Sequence, residues 1–148
     1  MKCMSSIIAA ALVACATLAA ASDDSVGRVK TVNGSASIVR GQVSLPAVVN
    51  ERVFQGDTLR TGPDGSLGVI LKDDTSLSLG PNSVVVVDQF LFAPAESKLS
   101  LVTRMLRGTA VYVSGIIARL SPQTVRFETP NASIGIRGTR FLVKVDED

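Results

Sequence analysis

The chain of 148 residues has no histidine and no tryptophan, a single tyrosine, and two cysteines, Cys3 and Cys15, both close to the N-terminus. Each absence excludes a class of chemistry. Without histidine, the commonest general base and the commonest metal ligand are missing. Without cysteine beyond Cys15, the rest of the chain has no disulfide and no thiolate for zinc or iron–sulfur ligation. The sequence contains no G-x-S-x-G elbow, P-loop or G-x-G-x-x-G fingerprint. The expectation is a non-enzyme with no catalytic residues, no cofactor and no metal site. After the leader described next, no apolar run approaches the roughly 20 residues that a spanning helix needs.

What is present begins with that leader. Lys2 is the only charge before Asp23, and residues 7–21 are apolar and rich in alanine. A charged start followed by a short apolar stretch reads as a signal peptide over residues 1–22, leaving residues 23–148 as a single β domain. Two readings of its end stand side by side. Ala19 and Ala21 offer an A-x-A cleavage site ahead of Ser22, which gives a soluble periplasmic or secreted protein. Leu12-Val13-Ala14-Cys15 looks like a lipobox, in which Cys15 is lipidated and anchors an outer-membrane lipoprotein. On either reading a domain of about 125 residues is long enough to stabilise itself by burial alone.

Charge is unevenly spread. Residues 22–96 carry six basic and nine acidic side chains, whereas residues 97–145 carry eight basic ones against the single Glu128. A basic C-terminal half attracts an acidic protein face, or an anionic glycan or lipid; period-2 strands that simply solvate their charges give the same count. Nucleic acid is not an expected partner, because the leader implies export and the chain has no basic run and few aromatics.

One short phrase recurs four times: a turn ending in glycine, then Ser or Thr, then an apolar run. It occurs at Asn33-Gly34-Ser35, Asp64-Gly65-Ser66, Arg107-Gly108-Thr109 and Arg137-Gly138-Thr139, with the glycines 31, 43 and 30 residues apart. Glycine before a β-prone run supplies the turn that launches a strand, and repetition of the unit implies stacked β-modules. Asn33-Gly34 is the strongest hairpin signal, placed between strands over 26–32 and 35–40. Further strands are expected over 67–71, 76–79, 84–87, 99–106, 110–113, 125–127, 134–136 and 141–145. Residues 84–87 form a β-branched run suited to burial on both faces. Residues 116–120 remain open between helix and strand. The expected fold is all-β, a solenoid-like or sandwich-like stack of short strands and hairpins with little or no helix.

Asp73-Asp74 is the one adjacent carboxylate pair. Neighbouring residues on a strand face opposite ways, so the pair reads as a turn and not as an acid/base couple. The two Arg-Gly-Thr triplets have two readings. Arg107 and Arg137, with Arg140 beside the second turn, could flank exposed backbone N–H groups as an anion-binding notch, or lay their stems over apolar surface with their heads in water.

Taken in order, these pieces resemble the FecR domain. They are Gly27-Arg28-Val29-Lys30-Thr31-Val32-Asn33-Gly34, Gly56-Asp57-Thr58-Leu59-Arg60-Thr61-Gly62 with Asp64-Gly65-Ser66, Leu71-Lys72-Asp73-Asp74-Thr75-Ser76-Leu77-Ser78-Leu79, Leu106-Arg107-Gly108-Thr109-Ala110, and Thr129-Pro130-Asn131-Ala132 with Ile136-Arg137-Gly138-Thr139-Arg140-Phe141. The resemblance covers residues 27–145. It implies the periplasmic module of ferric-citrate-type sensor and anti-sigma regulators, here free-standing, with a leader in place of the usual cytoplasmic and spanning parts. The implied role is protein–protein interaction in envelope signalling or assembly. Glycan or lipopolysaccharide binding is the alternative, which exposed aromatic rings would favour.

The two leader readings separate by mass and fractionation. A mature protein starting near Ser22 is expected if A-x-A is cut, and Cys15→Ser then changes nothing. If Cys15 is lipidated, the same substitution releases the protein from membranes.

Overall fold

A computed structural model describes residues 24–137 and 140–146. The leader, Cys15 and the Gly138-Thr139 pair lie outside the described residues. Among the described residues there are twelve strands: β1 (Gly27–Asn33), β2 (Ala36–Arg40), β3 (Val43–Pro46), β4 (Arg52–Val53), β5 (Thr58–Thr61), β6 (Ser66–Leu71), β7 (Ser76–Leu79), β8 (Val84–Ala93), β9 (Lys98–Val113), β10 (Val125–Thr129), β11 (Ala132–Gly135) and β12 (Arg140–Val145). One short helix, α1 (Ile116–Leu120), follows β9. With 60% strand and 9% helix the fold is all-β, as the turn spacing implies.

The strands form one curled sheet in the order β3-β2-β5-β8-β9-β7-β6-β1-β4. β10 and β12 also pair with β9, and β11 pairs with β10. Every pairing is antiparallel except β9 with β10, which is parallel. β9 is therefore the spine. Its first part lies between β8 and β10, and its second part between β7 and β12.

The inward pattern of β9 changes phase along its length. Leu101, Thr103 and Met105 are buried in the first part, Ala110 and Tyr112 in the second. Period-2 alternation cannot move from odd to even positions without an irregularity. The irregularity sits at 106–108: Val85 partners Met105 but Val84 partners Arg107, so Leu106 is an extra residue, and Gly108 follows at φ +97°. A Cβ on Gly108 would collide with the backbone and side chain of Ser83, so both conformation and space require glycine.

Asn33-Gly34 does not make the expected hairpin. β1 pairs with β6 and β4, while β2 pairs with β3 and β5, so the turn carries the chain from one part of the sheet to another. The physical reason is a neighbour that local sequence cannot announce. The β5–β6 connection makes the same passage beside it: Gly62 N–H donates to Ser35 O at 2.9 Å, Ser35 Oγ–H donates to Asp64 Oδ1 at 3.0 Å, and Cβ atoms at Gly34 and Gly65 would strike the opposing backbone. The β7–β8 connection comes next. Thr61 N–H donates to Ser83 O, Asn82 N–H to Gly62 O, and Ser83 N–H to Thr61 Oγ1. Beyond it, Thr109 N–H donates to Ser83 Oγ at 3.0 Å and Gly80 N–H to Thr109 O at 2.9 Å. Three of the four repeated glycine phrases thus lie side by side in one seam where the chain changes direction.

Elsewhere the alternation holds. Leu67, Val69 and Leu71 of β6 and Leu77 and Leu79 of β7 point inward, and they meet Ile38, Leu59, Val85, Val87, Leu101, Val125 and Phe127 in one apolar cluster. Val84 and Val86 are also buried, so the 84–87 run is covered on both faces. Ahead of the strand expected over 99–106, Pro94–Glu96 forms a single 3₁₀ turn. The two strands expected over 99–106 and 110–113 are one strand of 16 residues. Residues 116–120 are helical, with Ile117 and Ala118 buried. β3 and β4 carry no alternation strong enough to be read from sequence; they are held by their partners.

Replacing Gly108 by Val is expected to destabilise the protein by roughly 1–3 kcal/mol or more, from backbone strain and collision with Ser83. Urea unfolding monitored by circular dichroism measures it. A variant as stable as the parent contradicts the seam.

Candidate functional site

The carboxylates with the most buried surroundings serve the fold. Asp57, just ahead of β5, is 1% exposed and takes a two-pronged ion pair from Arg40, with Nε to Oδ1 at 3.0 Å and Nη2 to Oδ2 at 2.8 Å. Phe54 N–H also donates to Oδ2 at 2.8 Å, and the Arg40 guanidinium lies 4.4 Å from the centre of the Phe54 ring. The Asp57 hydrogen bond is the main reason the Arg40 pKa is raised, with partial burial opposing it. Arg40 also reaches Arg52 O at 3.1 Å, so this one ion pair fastens β2, β5 and the edge strand β4.

Asp73 plays the same part in the β6–β7 turn. Its Oδ1 accepts from Thr75 N–H at 3.1 Å, its Oδ2 accepts from Thr75 Oγ1–H at 2.7 Å and Ile117 N–H at 3.3 Å, and its backbone oxygen accepts from Ile116 N–H at 2.7 Å. The carboxylate therefore ties the turn to α1. Asp74, at φ +68°, is exposed while Asp73 is buried, so the two carboxylates lie in different surroundings. Among the described residues no three His, Cys, Asp or Glu side chains gather in a way that could hold a metal ion.

Near Asp73 lies an aromatic trio. Tyr112 and Phe127 are fully buried; Tyr112 stacks on Phe141 at 5.1 Å between centroids, and Phe127 meets both edge-on at 5.7 Å. Burial, helped by the charge of Asp73, pushes the Tyr112 phenol well above its ordinary value. Thr75 lies near enough to ease that shift, but the contact falls short of a well-formed hydrogen bond, and the phenol oxygen has no such partner among the described residues.

Phe141 belongs to β12, which has an open edge. Among the described residues β3, β4, β11 and β12 each pair on one side only, and β12 is the longest of them at six residues. Its inward residue Val143 is buried; its outward residues are Arg140, Leu142 and Lys144, with Leu142 66% exposed. Leu142 is the direct partner of Val111, and Arg140 of Val113, so an apolar stripe flanked by two cations runs along the outer face.

The three arginines singled out in the sequence do not converge. Arg107 adjoins the Gly108–Val145 pair, while Arg140 partners Val113 at the other end of β12, about 20 Å away along the strand. Arg137 is exposed beside Pro122 and Gln123, close in sequence to Arg140. Arg107 is instead half-buried where β9 changes phase. The stripe itself was not apparent from sequence, because which apolar residues stay outward depends on the phase change at Gly108.

Fold and site together define an all-β module whose buried carboxylates, Asp57 and Asp73, brace its own turns. A family model described as "FecR protein" matches residues 57–148, more than half of the chain, and the protein belongs to that family. Membership implies a signalling or regulatory module, a sensor-type domain that is periplasmic in sensor proteins. No curated protein and no solved structure gives a significant match. β1 to β4 precede the matched residues yet share their sheet, β1 pairing with β6 and β2 with β5. No helix among the described residues is long and apolar enough to cross a membrane.

Two outcomes follow. Arg40→Ala strands the Asp57 carboxylate and is expected to cost about 3 kcal/mol, the low end for a broken buried pair because the guanidinium is partly solvated; chemical unfolding measures it. The second concerns alkaline pH. The unfolded chain releases the tyrosine proton near pH 10 while the native state holds it, so stability falls as pH rises above about 10. Tyr112→Phe is expected to flatten that decline in melting temperature.

Proposed function

We propose that this protein is a non-enzymatic envelope module that binds another protein, and that it does so by receiving an extended, acidic segment along β12. The observation that carries the reading is the open six-residue edge with Leu142 outward between Arg140 and Lys144. An unpaired edge offers a row of backbone donors and acceptors that a peptide completes as an added strand. Cations on that edge disfavour indiscriminate pairing and select a partner of opposite charge. Phe141 and Val145 are only partly buried against the core, so an added strand would cover them further. The alternative glycan reading has less support, since the Tyr112 and Phe127 rings are fully buried and unavailable for sugar stacking.

In cells, a photoreactive side chain at position 142 is expected to capture an envelope protein, and the same group at Val43 on the β3 edge is not. Charge reversal at Arg137 and Arg140 is expected to weaken capture far more than reversal at Arg28 and Lys30, and raised salt to weaken it in parallel. Equal capture from both edges, or equal effects of the two reversals, would remove β12 as the docking strand.

A further inference from the structure

The half of the chain with an excess of acidic residues contains a cationic groove at the opposite end of the sheet path from β3. Arg28 in β1 and Arg52 in β4 are direct cross-strand partners, which puts both side chains on one face with backbones about 5 Å apart. Lys72 follows β6 and is held beside them, its N–H donating to Val26 O at 2.8 Å. These three cations, with Asn50 and Asp74, line a surface cavity of about 500 Å³ floored by Gly27 and Leu71. Asp74 is the one carboxylate in that lining.

Two features make this more than a chance grouping. Like charges directly opposite on an antiparallel pair oppose strand pairing, yet here they occupy a β4 only two residues long. That short strand is held in place from outside, by Val26 N–H donating to Val53 O and by the Asp57-bound Arg40 donating to Arg52 O. The arginine pair is thus positioned by groups other than itself. Two arginines and a lysine lining a common hollow match a compact anion with several oxygens, to which planar donors bind in pairs.

We infer that the Arg28–Arg52–Lys72 groove is a binding site for a phosphoryl group, on a surface separate from β12. The cations supply charge-assisted hydrogen bonds to the phosphoryl oxygens. Asp74 at the rim limits the negative charge that the groove accepts.

The experiment titrates the protein with inorganic phosphate at constant ionic strength set by chloride, reading amide chemical shifts and melting temperature. Shifts confined to β1, β4 and the β6–β7 turn, with a rise in melting temperature, are expected. Arg28→Gln with Arg52→Gln should weaken the apparent affinity by about tenfold or more, and Lys72→Gln by a smaller factor, while Arg140→Gln leaves it unchanged. Vesicles separate the sources of the group. Sedimentation with phosphatidylglycerol but not phosphatidylcholine vesicles, lost in the double variant, assigns it to a lipid headgroup. A phosphate response without sedimentation assigns it to a soluble phosphate. No response beyond that to chloride, or a response retained by both the double variant and Lys72→Gln, overturns the site. Arg140→Gln leaves the groove intact, so failure here is distinguishable from failure of the β12 reading.

Discussion

The contact between Gly108 and Ser83 is the point on which the rest of the sheet depends. β9 must serve two sets of partners, and its inward residues must be odd-numbered on one side of that point and even-numbered on the other. One extra residue at Leu106 and a glycine at φ +97° accomplish the change. Ser83 then replaces the lost regularity with specific hydrogen bonds, donating to Thr109 O and accepting from Thr109 N–H. If β9 kept strict alternation, either Met105 or Tyr112 would face water, and neither half of the strand could contribute to the common core. The neighbouring connections stack on the same line, so the seam is continuous from Ser35 to Thr109.

The residues that carry the family resemblance are largely those that build this seam and its counterpart turns. Thr61, Gly62, Gly65, Gly108 and Thr109 lie in the seam; Asp57 and Asp73 each organise a turn through three or more hydrogen bonds. A buried carboxylate is tolerated when its oxygens are saturated by donors, and both are. Such residues specify an architecture, and they do so equally well whatever the outer faces recognise. The two candidate surfaces, the Leu142 stripe and the Arg28–Arg52 groove, consist mainly of outward strand positions. Membership in the family accordingly conveys a class of role and does not by itself fix what the outward faces recognise.

Charge illustrates how folding rearranges a linear pattern. Along the chain the basic residues crowd into 97–145, yet strand pairing spreads Arg107 and Arg140 to opposite ends of β12. Meanwhile Arg28, Arg52 and Lys72, scattered over 45 positions of the more acidic half, meet at one sheet end because β1 lies between β4 and β6. Electrostatic fields are set by such proximity in space, so a sum over a segment is a weak guide to where a partner docks.

By itself the sequence determined what local physics controls. The turn glycines and the period-2 runs were sufficient for an all-β chain with Leu67, Val69, Leu71, Leu77 and Leu79 inward, and the Asp73-Asp74 turn followed from the same signals. What only the tertiary structure decided was which strand lies beside which. Asn33-Gly34 has the chemistry of a hairpin, and its conformation is indeed left-handed at φ +62°, but the β5–β6 connection packed against it directs the chain to a new partner. Residues 116–120 became helical because Asp73, over 40 positions earlier, receives the first N–H groups of that turn. Turn chemistry and alternation act over a few residues and are written in neighbouring side chains, whereas pairing and burial arise between segments far apart in sequence, and those contacts placed both candidate surfaces.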